Sequence, residues 1–166
     1  MCIRDSFKES VQKALGSLEI GLDGFDLNEE INMQDLKKKL IERTPQKILF
    51  VAEAFRRDLK LDEIYEMTKI DKWFLEQIQE LVIVETQIKN EDVLNNKVKL
   101  QYIKSIGFSD KKIAKILKIK SNEVRSARNK FKIHPIYKKI DTCAGEFESK
   151  TPVSYTHLTL PTKRIV

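Results

Sequence analysis

A chain of 166 residues with a net charge of +6, 34% charged residues, five Gly and four Pro fits one domain with one core. Sparse Gly and Pro, with Leu, Ile, Lys and Glu recurring at helical spacing, predict an all-α fold, a compact multi-helix domain of short and medium helices, and weigh against a sheet protein. No apolar run approaches the ~20 residues of a membrane span, no secretory signal opens the chain, and Cys2 and Cys143 make no metal or redox spacing. A cytoplasmic protein with no membrane contact, no metal and no disulfide is therefore expected.

In chain order, Phe7, Val11, Ala14, Leu15 and Leu18 give a one-sided first helix, with Gly16 tolerated at about 1 kcal/mol. Gly21 and Gly24 break it and permit a sharp turn, after which Phe25 can anchor. An acidic, poorly periodic stretch to residue 32 reads as loop, and residues 34–42 as a short helix. Thr44 as a cap with Pro45 at the first helical position predicts a restart over 45–58, with Ile48, Leu49, Ala52 and Phe55 as its core stripe. A short helix over 61–67 follows. Asp71 is placed to cap the longest helix, 72–89, a central pillar whose inner face carries Trp73, Phe74, Gln77, Ile78, Leu81, Val82 and Ile88. Without interleaved basic residues, Trp73 and Phe74 read as core aromatics and not as a base-stacking platform. A helix over 98–105 ends at Gly107, a natural left-handed cap.

Charge is polarised along the chain: residues 7–96 hold 13 Lys/Arg against 19 Asp/Glu, and residues 97–132 hold 12 against 2. The basic part contains two short helices with a helix-turn-helix look over 109–130. Ser109 and Ser121 stand as caps, Ile113, Ala114 and Leu117 as the inner face, Ile119 at the turn and Val124 as anchor. Asn122, Arg125 and Arg128 would then be exposed where a recognition helix meets DNA. A small DNA-binding regulator is thus the alternative function, although two short helices at a steep angle are also a general packing solution.

Residues able to carry chemistry are few. The only close Gly pair, Gly21 and Gly24, lacks the Lys or helix N-terminus of a phosphate loop, so ATP should not bind here. His134 reads as a packed residue before Pro135 and not as a base or ligand, and Cys143 as buried packing and not as a nucleophile. The pairs Glu29 and Glu30, Glu63 and Glu66, and Glu76 and Glu80 read as solvated faces, since acid and base work needs environments that drive two pKa values apart. No catalytic, cofactor-binding or metal-binding residue is assigned.

Both ends break with the interior. Residues 1–6 and 153–166 resemble translated adapter or vector sequence and are expected to be a non-native leader and tail, leaving 7–152 as the domain. The alternation in Val153-Ser154-Tyr155-Thr156 and Leu158-Thr159-Leu160 also permits a natural β-prone tail.

Three groups of residues carry a more specific signal. They are Leu18-Glu19-Ile20-Gly21 with Asp23-Gly24-Phe25; Asp71-Lys72-Trp73-Phe74; and His134, Pro135, Tyr137 and Lys138 followed by Asp141-Thr142-Cys143-Ala144 and Glu146-Phe147. In combination they resemble the large subunit of carbamoyl-phosphate synthases, in the helical oligomerisation domain between the two ATP-grasp halves. Gly145, where the pattern usually has Ala, and Gly16 are mild departures. The resemblance implies an assembly or linker domain of a ligase. The intact enzyme would make carbamoyl phosphate from bicarbonate, glutamine-derived ammonia and two ATP, with Mg²⁺ or Mn²⁺, for arginine and pyrimidine synthesis. It also implies partners: the ATP-grasp and allosteric domains of the same subunit, a glutaminase small subunit, and a possible homo-oligomer. The flanking motifs make specific nucleic-acid binding the lesser reading of 109–130.

Overall fold

The computed structural model describes residues 2–3, 6–18, 21–27, 30–134, 136–139 and 152–155. Among these, eight helices run in the order α1 (Phe7–Ser17), α2 (Met33–Ile41), α3 (Lys47–Arg56), α4 (Leu61–Thr68), α5 (Lys72–Asn90), α6 (Lys97–Ser105), α7 (Asp110–Leu117) and α8 (Ser121–Lys130). The all-α class therefore holds for the body of the chain. Three short strands, β1 (Cys2–Ile3), β2 (Ile136–Lys139) and β3 (Pro152–Tyr155), flank it. They form a small sheet in the order β1-β3-β2, with Cys2 opposite Ser154 in a parallel pair and Tyr137 opposite Ser154 in an antiparallel one. The alternating residues 153–155 provide the strand pattern that this pairing uses.

Helix starts follow local side-chain chemistry. The Asn32 carboxamide accepts from Asp35 N at 2.8 Å, Asp71 from Trp73 N at 2.8 Å, Asn96 from Lys99 N at 3.1 Å and Ser109 from Lys112 N at 3.0 Å. Each satisfies an amide that the helix leaves free. Ser6, read from sequence as the last residue of the leader, accepts from Glu9 N at 3.2 Å and caps α1. Two expected caps are displaced. Thr44 and Pro45 form a turn ahead of α3, whose first helical residue is Lys47, and the Thr44 hydroxyl meets no hydrogen-bond partner. Lys120, not Ser121, occupies the cap of α8, where its amide donates to Glu123 Oε1 at 3.1 Å.

The core is one cluster running from Leu15 to Ile133. α5 is its pillar, packed by α1, α3, α4 and α7. It buries Leu75, Ile78, Leu81, Val82, Val84 and Ile88, a stripe at helical spacing about 14 residues or ~20 Å long. α3 is the most enclosed helix, with Leu49, Phe50, Val51, Ala52, Ala54 and Phe55 all buried.

Two expectations about faces are overturned. Trp73 and Phe74 are 50% and 43% exposed, not core; the inward position in that turn belongs to Leu75, fully buried. α1 is turned as well. It buries Glu9, Gln12 and Leu15, whereas Ala14 is exposed, Leu18 is 57% exposed, and Phe7 and Val11 are only half-buried. The helix is held by polar contacts described below, so its apolar stripe does not decide its rotation.

Candidate functional site

Three arrangements of side chains stand out. The first fastens α1. Gln12 Nε2 donates to Ile106 O at 2.8 Å, Lys13 Nζ lies 3.3 Å from Glu9 Oε1, and Lys8 pairs with Glu80 of α5. Gly107, in the loop after α6, has φ +101° and comes so close that a Cβ there would lie 2.9 Å from Glu9 Cα. A left-handed glycine therefore serves both the loop's turn and the approach of α1's backbone.

With those contacts fixing one face, another face of α1 is only partly covered: Phe7 and Val11 are half-buried against the core, whereas Ala14 and Leu18 are exposed. Phe7, Val11, Ala14 and Leu18, spaced at i, i+4, i+7 and i+11, lie on one stripe. At its start Phe7 meets Trp73 and Phe74 edge to face, with ring centroids 5.6 and 5.3 Å apart, and Trp73 meets Phe74 at 4.9 Å. Such edge contacts hold the rings in fixed positions while leaving large apolar faces to solvent.

The second arrangement is an ionic network beneath the Gly24-Phe25 turn. Lys112 is 3% exposed, pairs with Asp26 and lies 2.9 Å from Glu85 Oε1. Lys115 Nζ reaches Asp26 Oδ2 at 2.9 Å. Arg56 binds Glu85 through two nitrogens at 2.9 and 3.1 Å and donates to Phe25 O at 2.9 Å. Burial pushes the Asp26 carboxyl up, but Lys112 and Lys115 together outweigh it and hold the group below its ordinary range. Burial likewise opposes the charge on Arg56, yet Glu85 keeps it raised. Gly24 has φ +96°, a Cβ there would lie 3.9 Å from the Lys112 stem, and Phe25 is buried. A cleft of about 580 Å³ opens beside this network, lined by Asp26, Leu27, Glu30, Ile31, Glu53 and Arg56 with Arg57 and Lys115. These pairs tie loop, α3, α5 and α7 together.

The third is the α7 and α8 pair. Ile113, Ala114 and Val124 are buried as the sequence predicts, and Lys118 makes the turn in the left-handed region at φ 56°. Arg128 is not free to reach a partner: its Nη2 lies 3.1 Å from Asp110 Oδ2, and Asp110 Oδ1 is 2.9 Å from Lys104 Nζ. Burial lowers the Lys104 pKa despite that carboxylate. Asn122 and Arg125 are exposed. Among the described residues, Lys99, Lys112 and Lys115 of the basic part pair with Glu91, Asp26 and Glu85 of the acidic part, while Lys104 and Arg128 share Asp110 within the basic part itself.

The sequence-marked residues divide sharply. Phe25 and Gly24 enter the core, Gly21 turns at φ 76°, Asp23 is half-buried, Asp71 caps α5, and Leu18, Trp73 and Phe74 are exposed. His134 is exposed after the buried Ile133, and Tyr137 belongs to β2. Glu19, Pro135, Asp141, Thr142, Cys143, Ala144, Glu146 and Phe147, with Glu29, lie outside the described residues. Glu66 and Glu80 are paired with Lys69 and Lys8, and among the described residues no three His, Cys, Asp or Glu converge on a metal-sized site. Sequence reading missed Lys112, Asp26, Glu85 and Arg56. Only Lys112 left a trace, standing four residues before Ile116 on the apolar side of α7.

Comparison with known proteins places these arrangements in a family. The family described as carbamoyl-phosphate synthetase large chain, oligomerisation domain, matches residues 1–132. A carbamoyl phosphate synthase large chain of Campylobacter jejuni is 44% identical over 164 residues, covering 95% of this chain and 15% of its own length. Those of Haemophilus ducreyi and Pseudomonas aeruginosa are 41% and 40% identical, each covering 94% of this chain and 14% and 15% of their own lengths. The chain thus spans about one seventh of these relatives, the helix-turn-helix regulator finds no support, and this chain belongs to the carbamoyl-phosphate synthetase large-chain oligomerisation-domain family.

Proposed function

We propose that this chain is the assembly and linker module of a large chain that makes carbamoyl phosphate from bicarbonate, glutamine-derived ammonia and two ATP. The observation that carries the reading is the family match over 1–132, in a chain that fills only 14–15% of relatives named carbamoyl phosphate synthase large chain. Catalysis, ATP and Mg²⁺ or Mn²⁺ belong to the remaining domains. A glutaminase small subunit supplies ammonia, and the product feeds arginine and pyrimidine synthesis in the cytoplasm. In support, the charged groups brought together here are spent on each other, and no helix among the described residues is long and apolar enough to cross a membrane.

Two measurements test this reading. The isolated chain is expected to show no bicarbonate-dependent ATP hydrolysis, whereas a Campylobacter jejuni large chain carrying this chain in place of its matching region is expected to make carbamoyl phosphate. ATPase activity in the clean isolated chain, or a folded chimera without synthesis, sinks the proposal.

We also propose 7–152 as the functional domain, with 153–166 and all of the leader 1–6 except the capping residue Ser6 dispensable. Every residue of the described core lies between Leu15 and Ile133, and a sheet as small as the one formed by β1, β2 and β3 adds little stability alone. Removing 1–5 and 153–166 should leave the denaturant midpoint nearly unchanged, while extending the first cut through Ser6 should cost about 1 kcal/mol by uncapping α1. A loss of several kcal/mol on the shorter cut would refute the boundaries.

A further inference from the structure

The loop between α1 and α2 holds the only Asp-Gly or Asn-Gly step of the sequence, Asp23-Gly24. In such a step the glycine nitrogen is one ring closure away from the aspartate side chain, and no Cβ on the glycine obstructs the approach. A fold suppresses that closure by hydrogen-bonding the amide or holding the carboxyl, and buried backbone amides are almost always paired. Gly24 is buried, yet neither restraint operates. Among the described residues, no hydrogen bond reaches the Gly24 amide, and no hydrogen bond or ion pair reaches the Asp23 carboxylate. Asp26, three residues on, is by contrast held by Lys112 and Lys115. Crowding does not block the step either: the atom nearest to a Cβ built at Gly24 is Gln12 Oε1, at 3.6 Å. Asp23 itself is half-buried, which admits water to the product.

We propose that Asp23-Gly24 is a spontaneous modification site, where the folded chain forms a succinimide and then isoaspartate, and that the isomer loosens the ionic network beneath the loop. The Gly24 nitrogen attacks Asp23 Cγ. The N–Cγ bond forms, the Cγ–OH bond breaks, and the amide proton leaves with the hydroxyl as water. Water then opens the five-membered ring. Addition at the side-chain carbonyl restores aspartate. Addition at the main-chain carbonyl breaks the original peptide C–N bond, so that the chain runs through Cγ and the α-carboxylate is free. Water is the only co-reactant. The isomer carries one more methylene, about 1.5 Å of chain, immediately ahead of residues fixed to the core. Phe25 is buried, its carbonyl accepts from Arg56 Nη1 at 2.9 Å, and Asp26 pairs with Lys112 and Lys115. With Phe25 anchored, the added length moves Asp26 out of register with its lysines. The freed α-carboxylate is the group that isoaspartyl carboxyl methyltransferases esterify, so the modified chain is a substrate for that class of repair enzyme. None of this depends on the assembly reading.

Incubation of the folded chain at neutral pH tests this, read by peptide mass spectrometry and by methyl transfer from a labelled donor with an isoaspartyl carboxyl methyltransferase. The peptide containing Asp23 should yield a fraction lighter by one water and a growing fraction of unchanged mass that accepts methyl. Because the fold does not hold the reacting groups, the rate should stay within about tenfold of that in a synthetic peptide of residues 21–27. A folded chain slower than the peptide by more than that overturns the proposal, and this comparison needs no variant. Asp23→Glu, whose corresponding ring has six members, should lower the label at this position at least about tenfold; undiminished label places the reaction elsewhere and overturns the site. The separated isoaspartyl fraction should exchange the amides of Phe25, Asp26 and Leu27 roughly tenfold faster than the unmodified chain, with α4 unchanged. Equal exchange in the two fractions overturns the coupling to the network.

Discussion

Replacing Lys112 by methionine is expected to cost about 3 kcal/mol, the lower end of the ~3–5 kcal/mol seen when one partner of a buried ion pair is removed. Methionine keeps most of the buried stem but removes the ammonium from between Asp26 and Glu85. Two carboxylates, each 14% exposed, are then left facing a vacancy that neither water nor Lys115 fully fills. In a chain of this size the loss corresponds to a fall in Tm of about 6–12 °C. It should also depend on pH. Asp26 is held below its ordinary value of 3.8 mainly by Lys112 and Lys115, against the opposing effect of burial. Its contribution to stability is therefore present above pH ~4 and is lost as pH falls through the folded-state pKa. The variant should lose most relative to the parent near neutrality, and the gap should narrow in acid. A variant as stable as the parent at pH 7 would show that the network is ornamental.

Gly107→Ala is expected to be comparably damaging for a different reason. An alanine at φ +101° adopts backbone that L residues rarely occupy, and its Cβ would sit 2.9 Å from Glu9 Cα, which is backbone and cannot swing aside. Backbone strain of about 1–3 kcal/mol adds to an overpacking cost of about 1–3 kcal/mol. The displaced partner is α1, so loss of the Gln12 to Ile106 hydrogen bond should follow, and amide exchange in α1 should accelerate more than in α3. Gly16→Ala is the matched control. Gly16 lies within α1 with nothing within 4 Å of the new methyl, so alanine there should stabilise by about 0.5–1 kcal/mol. Denaturant titrations of the pair check the contrast; equal effects would mean that the loop at Gly107 is free to move.

The sequence by itself determined the helices and their joints. Periodic apolar spacing located eight helices, Asp71 and Ser109 capped the helices they were assigned to, and Gly107 ended α6 in the left-handed region. These are local matters, decided within one or two helical turns by capping and backbone freedom. The family too was legible in residues 18–25 and 71–74, because those side chains answer to a fixed loop and a fixed helix start.

Only the tertiary structure decided which faces point inward and which charges are spent. α1 carries an apolar stripe that predicts burial, yet Gln12 and Glu9 are buried instead, because Ile106 O and the bare backbone at Gly107 come from residues about 95 positions away. Trp73 and Phe74 read as core until Leu75 is seen to occupy the inward position. Arg128 reads as a free recognition residue until Asp110 is found 3.1 Å from it. Lys112 reads as one more solvated cation in a basic block, but Asp26, 86 residues away, and Glu85 enclose it. In each case the partner is distant in sequence. Pairing across such distances is fixed by how whole helices pack, and no local periodicity encodes it.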